Sequence, residues 1–314
     1  MAYVWTVKSS MNQAVNRNFG FGLAGAAVSC GGYNGGYKDI TEEFNGVSWS
    51  SGNAISGIRG FGAACGTSSA GLIFGGWDGI RVNITEEYNG TNWSVEDTIN
   101  ITIHQLSGCG QQTSALHIGG WGAGSVFDSC ETYNGAVWAN APSINNDFYI
   151  GAAAGAQNGH YFGGQDYNGG VPFYLTTGED FNGAAWFANP GLNTVRAYLA
   201  GIGSATRAES LAVGGNDAGQ KYTNTEQWNG TSWSNVNGLN VATAQITGVG
   251  ILTSGLVFGG QTDAGPTAAT EEWDDLSYFS KIYDIPICAN IAKIYGVIIS
   301  NIDKVNGVVK ETCP

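Results

Sequence analysis

The chain has 314 residues, a formal net charge of −13, 50 glycines, ten Trp, fourteen Tyr and thirteen Phe. The negative balance argues against nucleic acid and against an anionic membrane surface as partners, because both are bound by clustered Lys and Arg. Glycine stands at about twice its usual share of roughly 7%, but it has no three-residue period, which excludes collagen. The many aromatics argue against disorder and favour short strands joined by tight turns.

Residues 1–8 lack the basic start and long apolar core of a secretory signal, and no apolar run reaches the ~20 residues of a membrane span. We therefore expect a soluble protein made in a cytosol, without membrane insertion. The cysteines form no CxxC pair and no His-linked spacing, so we expect no zinc site, no other metal and no cofactor. We interpret them as small buried thiols in strands. They are Cys30, Cys65, Cys109, Cys130, Cys288 and Cys313.

Glycine pairs recur along most of the chain and define a repeat. They fall at Gly31-Gly32, Gly75-Gly76, Gly119-Gly120, Gly163-Gly164, Gly214-Gly215 and Gly259-Gly260, with spacings of 44, 44, 44, 51 and 45 residues. A period of this kind overrides a domain count based on length. Six units of this size favour one closed repeat domain.

Each unit has the pattern of four short strands, seen most clearly in residues 59–94. Small residues at 59–66 and the apolar run 72–74 predict strands one and two, while 84–88 and 91–94 predict strands three and four. Asn89-Gly90 separates the last two strands and predicts a type I′ hairpin turn. The dipeptide returns at Asn45-Gly46, Asn134-Gly135, Asn182-Gly183 and Asn229-Gly230, each with a Trp three residues beyond the glycine.

The two ends of the repeat region complement each other. Trp5 precedes Gly31 by 26 residues, which is the usual spacing from a repeat Trp to the next glycine pair, so residues 2–7 resemble an isolated fourth strand. In the last unit, residues 270–273 repeat the third-strand pattern, but neither the Asn-Gly dipeptide nor the fourth-strand Trp follows. Because an open ring would expose sheet edges, we expect the N-terminal strand to complete the sixth unit.

This repeat resembles the kelch repeat, in which a glycine doublet follows the second strand and aromatic residues recur at fixed spacing. The resemblance covers about residues 1–273 and implies an all-β fold, a six-bladed β-propeller. A Glu two residues before the aromatic and Asn-Gly in the hairpin depart from the commonest kelch pattern, and the Trp-Asp and Gly-His marks of WD repeats are absent. Propellers host enzymes, adaptors and lectins alike, so the resemblance says little about function.

One glutamate recurs at the same position of every unit. Side-chain alternation places it on the face of the repeat aromatic, which should pack between blades. A ring of carboxylates for a metal or for catalysis is one interpretation. We favour hydrogen bonding to backbone N–H groups, because active sites break symmetry and these residues do not. They are Glu42, Glu86, Glu131, Glu179, Glu226 and Glu271.

Residues 274–314 form a second region with a shorter repeat. The phrase I-A-K-I-Y-G-V at 291–297 returns as I-D-K-V-N-G-V at 302–308. It resembles short repeats near the ends of bacteriophage tail and other virion proteins, which implies a short β-rich tail docked to a particle. A segment of this length is too small to fold alone and needs a covering surface. The assembly residues predicted there are Ile291, Ile294, Tyr295, Ile302 and Val305.

Catalytic signatures are sparse. The three histidines, His104, His117 and His160, belong to no HxH, HExxH or recognisable triad pattern. No motif points to the His, Tyr and Cys ligands of a galactose-oxidase-like copper enzyme. The Asn-Gly-x-x-Trp motif does not have the Asp spacing of the Asp-box in sialidase propellers. Sialidases also need an arginine triad, for which the five Arg of this chain are a poor source. We expect a non-enzymatic protein, with a carbohydrate-active enzyme as the lesser alternative.

The segments after the glycine pairs vary between units, unlike the rest of the repeat. They join strands two and three and emerge on one face of a propeller, and the fourth is the longest, with 15 residues to the recurring Glu against 10 or 11 elsewhere. Aromatics mixed with Asp suit stacking on sugars or a protein hot spot, although turn residues and rings folded over the blades would give the same pattern. The candidate binding residues are Tyr33, Tyr37, Trp77, Asp78, Trp121, Asp166, Tyr167, Tyr174 and Asp217.

These features together predict a structural component of a virion, in a tail fibre, baseplate or capsid appendage. The tail would dock to other virion proteins, as one copy or as an oligomer, and the loops would recognise a glycan or protein on the host surface. A kelch-like adaptor for protein–protein interaction is the alternative.

Overall fold

Six four-stranded antiparallel sheets make up the computed structural model, which describes residues 3–155, 158–168, 171–203 and 208–275 and the pairs 304–305 and 308–309. The sheets are the blades of a six-bladed β-propeller, which confirms the fold predicted from the repeat. The described residues lie in strands, turns and loops, and none of them forms a helix able to span a membrane.

Blades 1 to 3 each consist of four consecutive strands. Blade 1 contains β2 Phe19–Leu23, β3 Ala26–Cys30, β4 Thr41–Phe44 and β5 Trp49–Gly52. Blade 2 contains β6 Ala63–Thr67, β7 Ala70–Phe74, β8 Thr85–Tyr88 and β9 Trp93–Val95. Blade 3 contains β10 Ser107–Gln111, β11 Ser114–Gly122, β12 Ser125–Tyr133 and β13 Trp138–Ala141.

Blades 4 to 6 add a two-stranded hairpin between their second and third strands. Blade 4 contains β14 Ala152–Ala154, β15 His160–Phe162, β18 Gly178–Phe181 and β19 Trp186–Asn189, with the hairpin β16 Gln165–Asn168 and β17 Val171–Tyr174. Blade 5 contains β20 Ala200–Gly203, β21 Ser210–Val213, β24 Thr225–Trp228 and β25 Trp233–Val236, with β22 Asn216–Asp217 and β23 Gln220–Lys221. Blade 6 contains β26 Thr247–Ile251, β27 Ser254–Phe258, β30 Thr270–Asp275 and β1 Tyr3–Val7, with β28 Gln261–Thr262 and β29 Gly265–Pro266.

The N-terminal strand closes the ring, as expected. Strand β1 pairs with β30 and supplies the outer edge of blade 6. The Lys8 N–H donates to the Thr270 carbonyl at 2.9 Å, and the Lys8 ammonium forms an ion pair with Glu272. Trp5 is buried, and its indole N–H donates to Thr225 Oγ1 of blade 5 at 2.9 Å. The first and last segments of the propeller therefore form one sheet.

The first strands of the blades crowd together around the axis, which explains their glycine content. A Cβ added to Gly20 in blade 1 would lie 2.2 Å from Thr247 Cγ2 in blade 6, and one added to Gly201 in blade 5 would lie 2.4 Å from the Ala153 carbonyl oxygen in blade 4. No larger residue fits at these distances without movement of a neighbouring blade.

The seams, meaning the contacts between adjacent blades, are mainly aromatic, as expected. In the seam between blades 1 and 6, the Trp49 ring lies 5.1 Å from Phe44 and 5.0 Å from Phe258, measured between centroids. At four seams the indole N–H of the fourth-strand Trp donates to a Thr hydroxyl of the preceding blade. These pairs are Trp5 with Thr225, Trp49 with Thr270, Trp93 with Thr41, and Trp138 with Thr85.

The recurring glutamates are buried and hold the segments that connect successive blades, which confirms the structural interpretation. Glu42 accepts hydrogen bonds from the backbone N–H groups of Asn12 at 2.6 Å and Gln13 at 2.9 Å. Blades 2 and 5 add an arginine: Arg59 Nη2 lies 2.7 Å from Glu86 Oε1, and Arg196 pairs with Glu226. The buried carboxylates are satisfied by donors, as their burial requires.

The type I′ turn predicted at Asn-Gly is wrong. The loop of the blade 1 hairpin has four residues, 45–48, because Phe44 pairs with Trp49. Gly46 has a φ of 89°, but Asn45 is not left-handed, whereas a type I′ turn needs both. Asn45 Oδ1 instead accepts the N–H groups of Val47 and Ser48, both at 2.9 Å. The asparagine caps the turn with its side chain.

Four of the cysteines, at positions 30, 65, 109 and 130, are free and buried, as expected; Cys288 and Cys313 lie outside the described residues. Beyond the propeller unit Val4–Asp274, the described part of the tail is a short hairpin of β31 Lys304–Val305 and β32 Val308–Val309. Of the predicted assembly residues, Val305 lies in β31. Ile291, Ile294, Tyr295 and Ile302 lie outside the described residues, so the docking role stays a prediction.

Candidate functional site

One face of the propeller collects two kinds of loop. The start of each first strand pairs with the end of the second strand, as Ala63 does with Phe74 in blade 2. The segment that enters a first strand and the segment that follows a glycine pair therefore emerge at the same edge of the sheet. We call this side the loop face.

A closed ring of backbone hydrogen bonds surrounds the propeller axis on the loop face. One residue of each blade donates its N–H to the carbonyl of its counterpart in the preceding blade, over N to O distances of 2.6 to 3.3 Å. All six residues have a positive φ, between 51° and 62°. We call them the axial ring: Arg17, Phe61, Gln105, Ile150, Tyr198 and Gln245.

The axial ring places bulky side chains where glycine would be the least strained residue. Left-handed backbone is costly for residues with a Cβ, and for a β-branched residue such as Ile150 it is an outlier. Elsewhere the chain uses glycine for this conformation, as at Gly31 and Gly75, whose φ values are 62° and 64°. Strain of this kind persists where the surrounding structure enforces it, here through the ring of backbone hydrogen bonds, and such residues cluster at ligand-binding and active sites.

The six ring side chains line a depression at the axis with a volume of about 100 Å³. This is smaller than the ~300 Å³ at which pockets for whole drug-sized ligands begin. The depression is therefore sized for one group of a larger ligand. Asn18 and Thr247 also line it, next to Arg17 and Gln245, whereas Ile150 lies on the opposite side of the ring.

Arg17 is the cation of this depression. Its guanidinium carbon lies 4.2 Å from the Phe61 ring centroid and 5.2 Å from that of Tyr33, within the range of cation–π attraction. Its Nε donates to Gln245 Oε1 at 3.2 Å. Burial raises the pKa of the nearby Tyr37 hydroxyl, although the charge of Arg17 and a hydrogen bond with it lower that pKa.

A second tier of side chains surrounds the axial ring and differs between the two halves of the propeller. The residue directly after each glycine pair forms a β-bridge with the residue just before the ring position in its own blade. In blades 1 to 3 these positions are aromatic: Tyr33, Trp77 and Trp121. In blades 4 to 6 they carry amides: Gln165, Asn216 and Gln261. The loop face thus has an aromatic half and an amide half.

The predicted aromatic residues are half-buried, except for the exposed Tyr167, and they pack against one another or against residues beside the ring. Trp77 lies 4.7 Å from the His104 ring centroid. Trp121 lies 5.2 Å from Tyr149 and 5.1 Å from Tyr167, the latter in an edge-on contact. Tyr33 and Tyr37 pack edge to face at 5.2 Å, and Tyr174 packs near Tyr149 and Ile150. The aromatic half is a rigid, preformed rim that keeps part of each ring accessible.

The predicted aspartates serve their own turns instead of meeting at the axis. Asp78 Oδ1 accepts the Ile80 N–H at 2.9 Å, and Asp166 Oδ1 accepts the Tyr167 N–H at 2.5 Å. Asp217 lies in the blade 5 hairpin and is hydrogen-bonded to Tyr222. These carboxylates satisfy local backbone or a neighbouring hydroxyl, as Asp commonly does in turns.

The structure also assembles a Ser, His and Asp arrangement that sequence reasoning missed. His160 Nε2 lies 2.6 Å from Ser210 Oγ, and its Nδ1 lies 3.4 Å from Asp180 Oδ1. The His160 ring stacks at 6.1 Å on Trp233, and both His160 and Ser210 are fully buried in the seam between blades 4 and 5. A substrate carbonyl cannot reach a hydroxyl in this position, so the arrangement works as a polar contact between blades.

Two further histidines are held neutral by burial. Burial lowers the pKa values of His104 and His117 to about 4, so both are neutral near pH 7. Within the ranges that the structure describes, no group of three or more His, Cys, Asp or Glu side chains is arranged to hold a metal ion. The axial depression and its aromatic rim are the candidate site.

Comparisons with known proteins agree with the fold. No protein-family profile matches the chain, and no curated protein sequence matches it. A solved structure described as that of YjhT superposes with a TM-score of 0.67 at 13% identity, over 84% of this chain and 96% of that one. The chain is thus similar in fold to the YjhT propeller, and a propeller of this kind is compatible with protein or carbohydrate interaction.

Proposed function

We propose that the protein is a non-enzymatic binding propeller whose loop face recognises a glycan through the axial ring and the aromatic rim. The observation that carries the proposal is the axial ring itself. Its backbone repeats six times, yet the side chains are Arg, Phe, Gln, Ile, Tyr and Gln, each held in a conformation that disfavours it. Scaffold positions of this chain repeat their residue type, so variation at six strained positions, all half-buried except the buried Ile150, supports a role outside the scaffold.

A glycan suits the chemistry of this face. The aromatic half offers the indole and phenol surfaces of Trp77, Trp121 and Tyr33, and aromatic rings supply large, rigid contact areas for the apolar faces of sugars. In the amide half, Gln165 is buried, Gln261 is hydrogen-bonded to Asn16 and to the Thr262 carbonyl oxygen, and Asn216 is half-buried. Amide groups both donate and accept hydrogen bonds, as sugar hydroxyls require. Both halves surround the axial ring, and the ring residues line the small depression.

Binding to a glycan array tests this proposal. We expect Trp121→Ala and Trp77→Ala to reduce binding at least tenfold, since each removes a stacking surface. The control is Val137→Ala, which changes an exposed side chain in a hairpin turn between third and fourth strands, at the opposite edge of the blade. Melting temperatures of all variants separate lost binding from lost folding. Absence of binding to any glycan, or binding that survives both Trp substitutions, would contradict the proposal.

We further propose that this propeller is a component of a virion, because of the repeated motif at residues 291–308 in the tail. In that setting the tail docks to other virion proteins and the loop face attaches to a host surface. Proteomic analysis of purified particles should find the chain, and a chain that ends at residue 275 should be absent from them. Incorporation of the truncated chain would exclude docking through the tail.

An adaptor that binds a protein is the second candidate, favoured by the blade 4 hairpin. Tyr167, Val171 and Phe173 are 41%, 66% and 41% exposed on it, an unusual concentration of apolar surface. If the adaptor function holds, Phe173→Ser should abolish capture of a protein partner, and removal of the tail should leave capture intact. Glycan binding unaffected by Phe173→Ser supports the first candidate.

A further inference from the structure

Arg17 is half-buried and, unlike the two buried arginines Arg59 and Arg196, has no carboxylate partner within the part of the chain that the structure describes. Arg59 and Arg196 are each neutralised by a buried glutamate within their seam. Arg17 takes part in no ion pair among the described residues, and the hydrogen-bond partners of its guanidinium, the Gln245 amide oxygen and the Tyr37 hydroxyl, are neutral. A positive charge that lines a depression and lacks a counter-ion is poised to receive a negatively charged group.

Its neighbours fix the orientation of that charge. Phe61 and Tyr33 lie within cation–π distance of the guanidinium, and Gln245 accepts from Nε. Tyr37 also hydrogen-bonds to the guanidinium. Because a guanidinium carries five N–H groups, N–H groups of its terminal nitrogens remain for an acceptor with two oxygens in one plane. A carboxylate has this geometry and binds arginine through two parallel hydrogen bonds.

The size of the depression and the charge of the surrounding face limit the ligand further. A volume of about 100 Å³ accommodates a carboxylate but not a whole sugar ring with its substituents. Residues 1–273 carry 8 basic and 20 acidic side chains, and the aspartates Asp78, Asp166 and Asp217 lie in the loops of this face. A densely charged polyanion is therefore repelled, whereas one carboxylate matches one arginine.

We propose that the axial depression is a carboxylate subsite, with Arg17 as its anchor, for a hexuronic acid residue of a glycan. The carboxylate enters the depression and pairs with the terminal guanidinium nitrogens of Arg17. The pyranose ring that bears it lies outside, where Trp77 and Trp121 supply stacking surfaces. This assignment rests on the proposed glycan-binding function and adds to it the chemical class of the ligand.

Calorimetric titration of the full chain with a galactose trimer whose terminal residue is galacturonate, and with its carboxyl-reduced, neutral counterpart, tests the subsite. We expect the acidic trimer to bind at least about tenfold more tightly, the gain typical of a hydrogen bond to a charged group. In Arg17→Met this preference should vanish, and in Arg17→Lys it should persist only in part, because Lys keeps the charge without the planar fork. Arg81→Met, which removes a loop-face charge outside the depression, should retain the preference in full.

Equal affinity for the two trimers in the wild-type protein would overturn the subsite while leaving glycan binding intact. A preference lost equally in Arg81→Met would overturn it too, since diffuse charge would then account for the preference. If neither trimer binds while the array reveals another glycan class, the hexuronate assignment falls and the proposed function stands. Binding to no glycan at all would overturn both the carboxylate subsite and the proposed glycan-binding function.

Discussion

The same six repeats build both the seams and the axial ring. From blade to blade, the side chains recur at the seams but differ at the ring. At the seams, the backbone and the side chains both recur: a buried Glu holds each connecting segment, and a Thr accepts from a Trp at four of six seams. At the ring, only the backbone recurs. The six φ values lie within 11° of one another, from 51° to 62°, while five different residue types occupy the six positions.

The repeat constrains side chains at the seams but not at the axial ring. A seam must fill space and satisfy buried polar groups in the same way each time, so its residues converge. The ring makes its structural bonds with backbone N–H and carbonyl groups, which every residue except proline supplies. Its side chains are therefore free to differ, and a ligand-binding surface can be built there without weakening the propeller.

The largest loss of stability should follow from opening the ring of blades. Deletion of residues 1–8 removes β1, the buried Trp5 and the ladder to β30, and we expect unfolding free energy to fall by roughly 5 kcal/mol. Urea denaturation followed by tryptophan fluorescence measures it. An unchanged midpoint would contradict closure by the N-terminal strand.

The next largest effect should come from a seam that contains a buried ion pair. Glu226→Gln leaves the Arg196 guanidinium buried and without a counter-charge, which typically costs about 3–5 kcal/mol. Glu131→Gln is the matched change at a seam whose glutamate accepts from Asn100 without an arginine, and we expect about 1–3 kcal/mol there. Equal losses in the two variants would show that the ion pair adds nothing to its seam.

Acidification should weaken the blade 3 core through His117. Burial lowers its pKa from 6.5 to about 4, so the unfolded chain binds the proton more readily than the folded one. The neutral ring's contribution is present above pH 6.5 and lost as the pH falls towards 4, by on the order of 3 kcal/mol at most. His117→Val places the residue found at the equivalent position 257 of blade 6 and should flatten the dependence of stability on pH in this window. An identical slope in that variant would rule His117 out as the source.

A smaller loss should follow from removal of one seam hydroxyl. Thr85→Val keeps the shape of the side chain but removes the acceptor of the Trp138 indole N–H, so we expect a loss of about 1–3 kcal/mol. Thr85→Ser, which retains the hydroxyl, is the control and should lose less. If Val and Ser variants unfold at the same denaturant concentration, the hydrogen bond does not stabilise the seam.

The sequence predicts the seams well because their signals are periodic. The six recurring glycine pairs predict six blades, the isolated Trp5 predicts closure, and the repetition of Glu42 and its counterparts predicts a structural role. The Asn-Gly turn is mispredicted because the side chain of Asn45, not a left-handed backbone, stabilises it. Local, periodic sequence patterns are therefore sufficient to predict the fold.

The axial ring and the blade 4–5 contact could not be predicted in the same way. A left-handed Phe61 or Ile150 has no signature in composition, because the surrounding backbone imposes the conformation. The fixed distance of 14 residues from Arg17, Phe61 or Gln105 to the following glycine pair is visible only once the ring is known. Ser210 and His160 are 50 residues apart and meet only through blade packing.

The central claim is that the ring side chains bind ligand while the ring backbone holds the fold, and replacing ring residues with glycine tests it. Glycine adopts the required φ without strain, so Arg17→Gly combined with Gln245→Gly should change stability by less than about 1 kcal/mol, because relief of strain offsets the entropy of the more flexible unfolded chain. Glycan binding by the same variant should be lost. Retained binding together with a large fall in unfolding free energy would contradict the claim and make the ring side chains part of the scaffold.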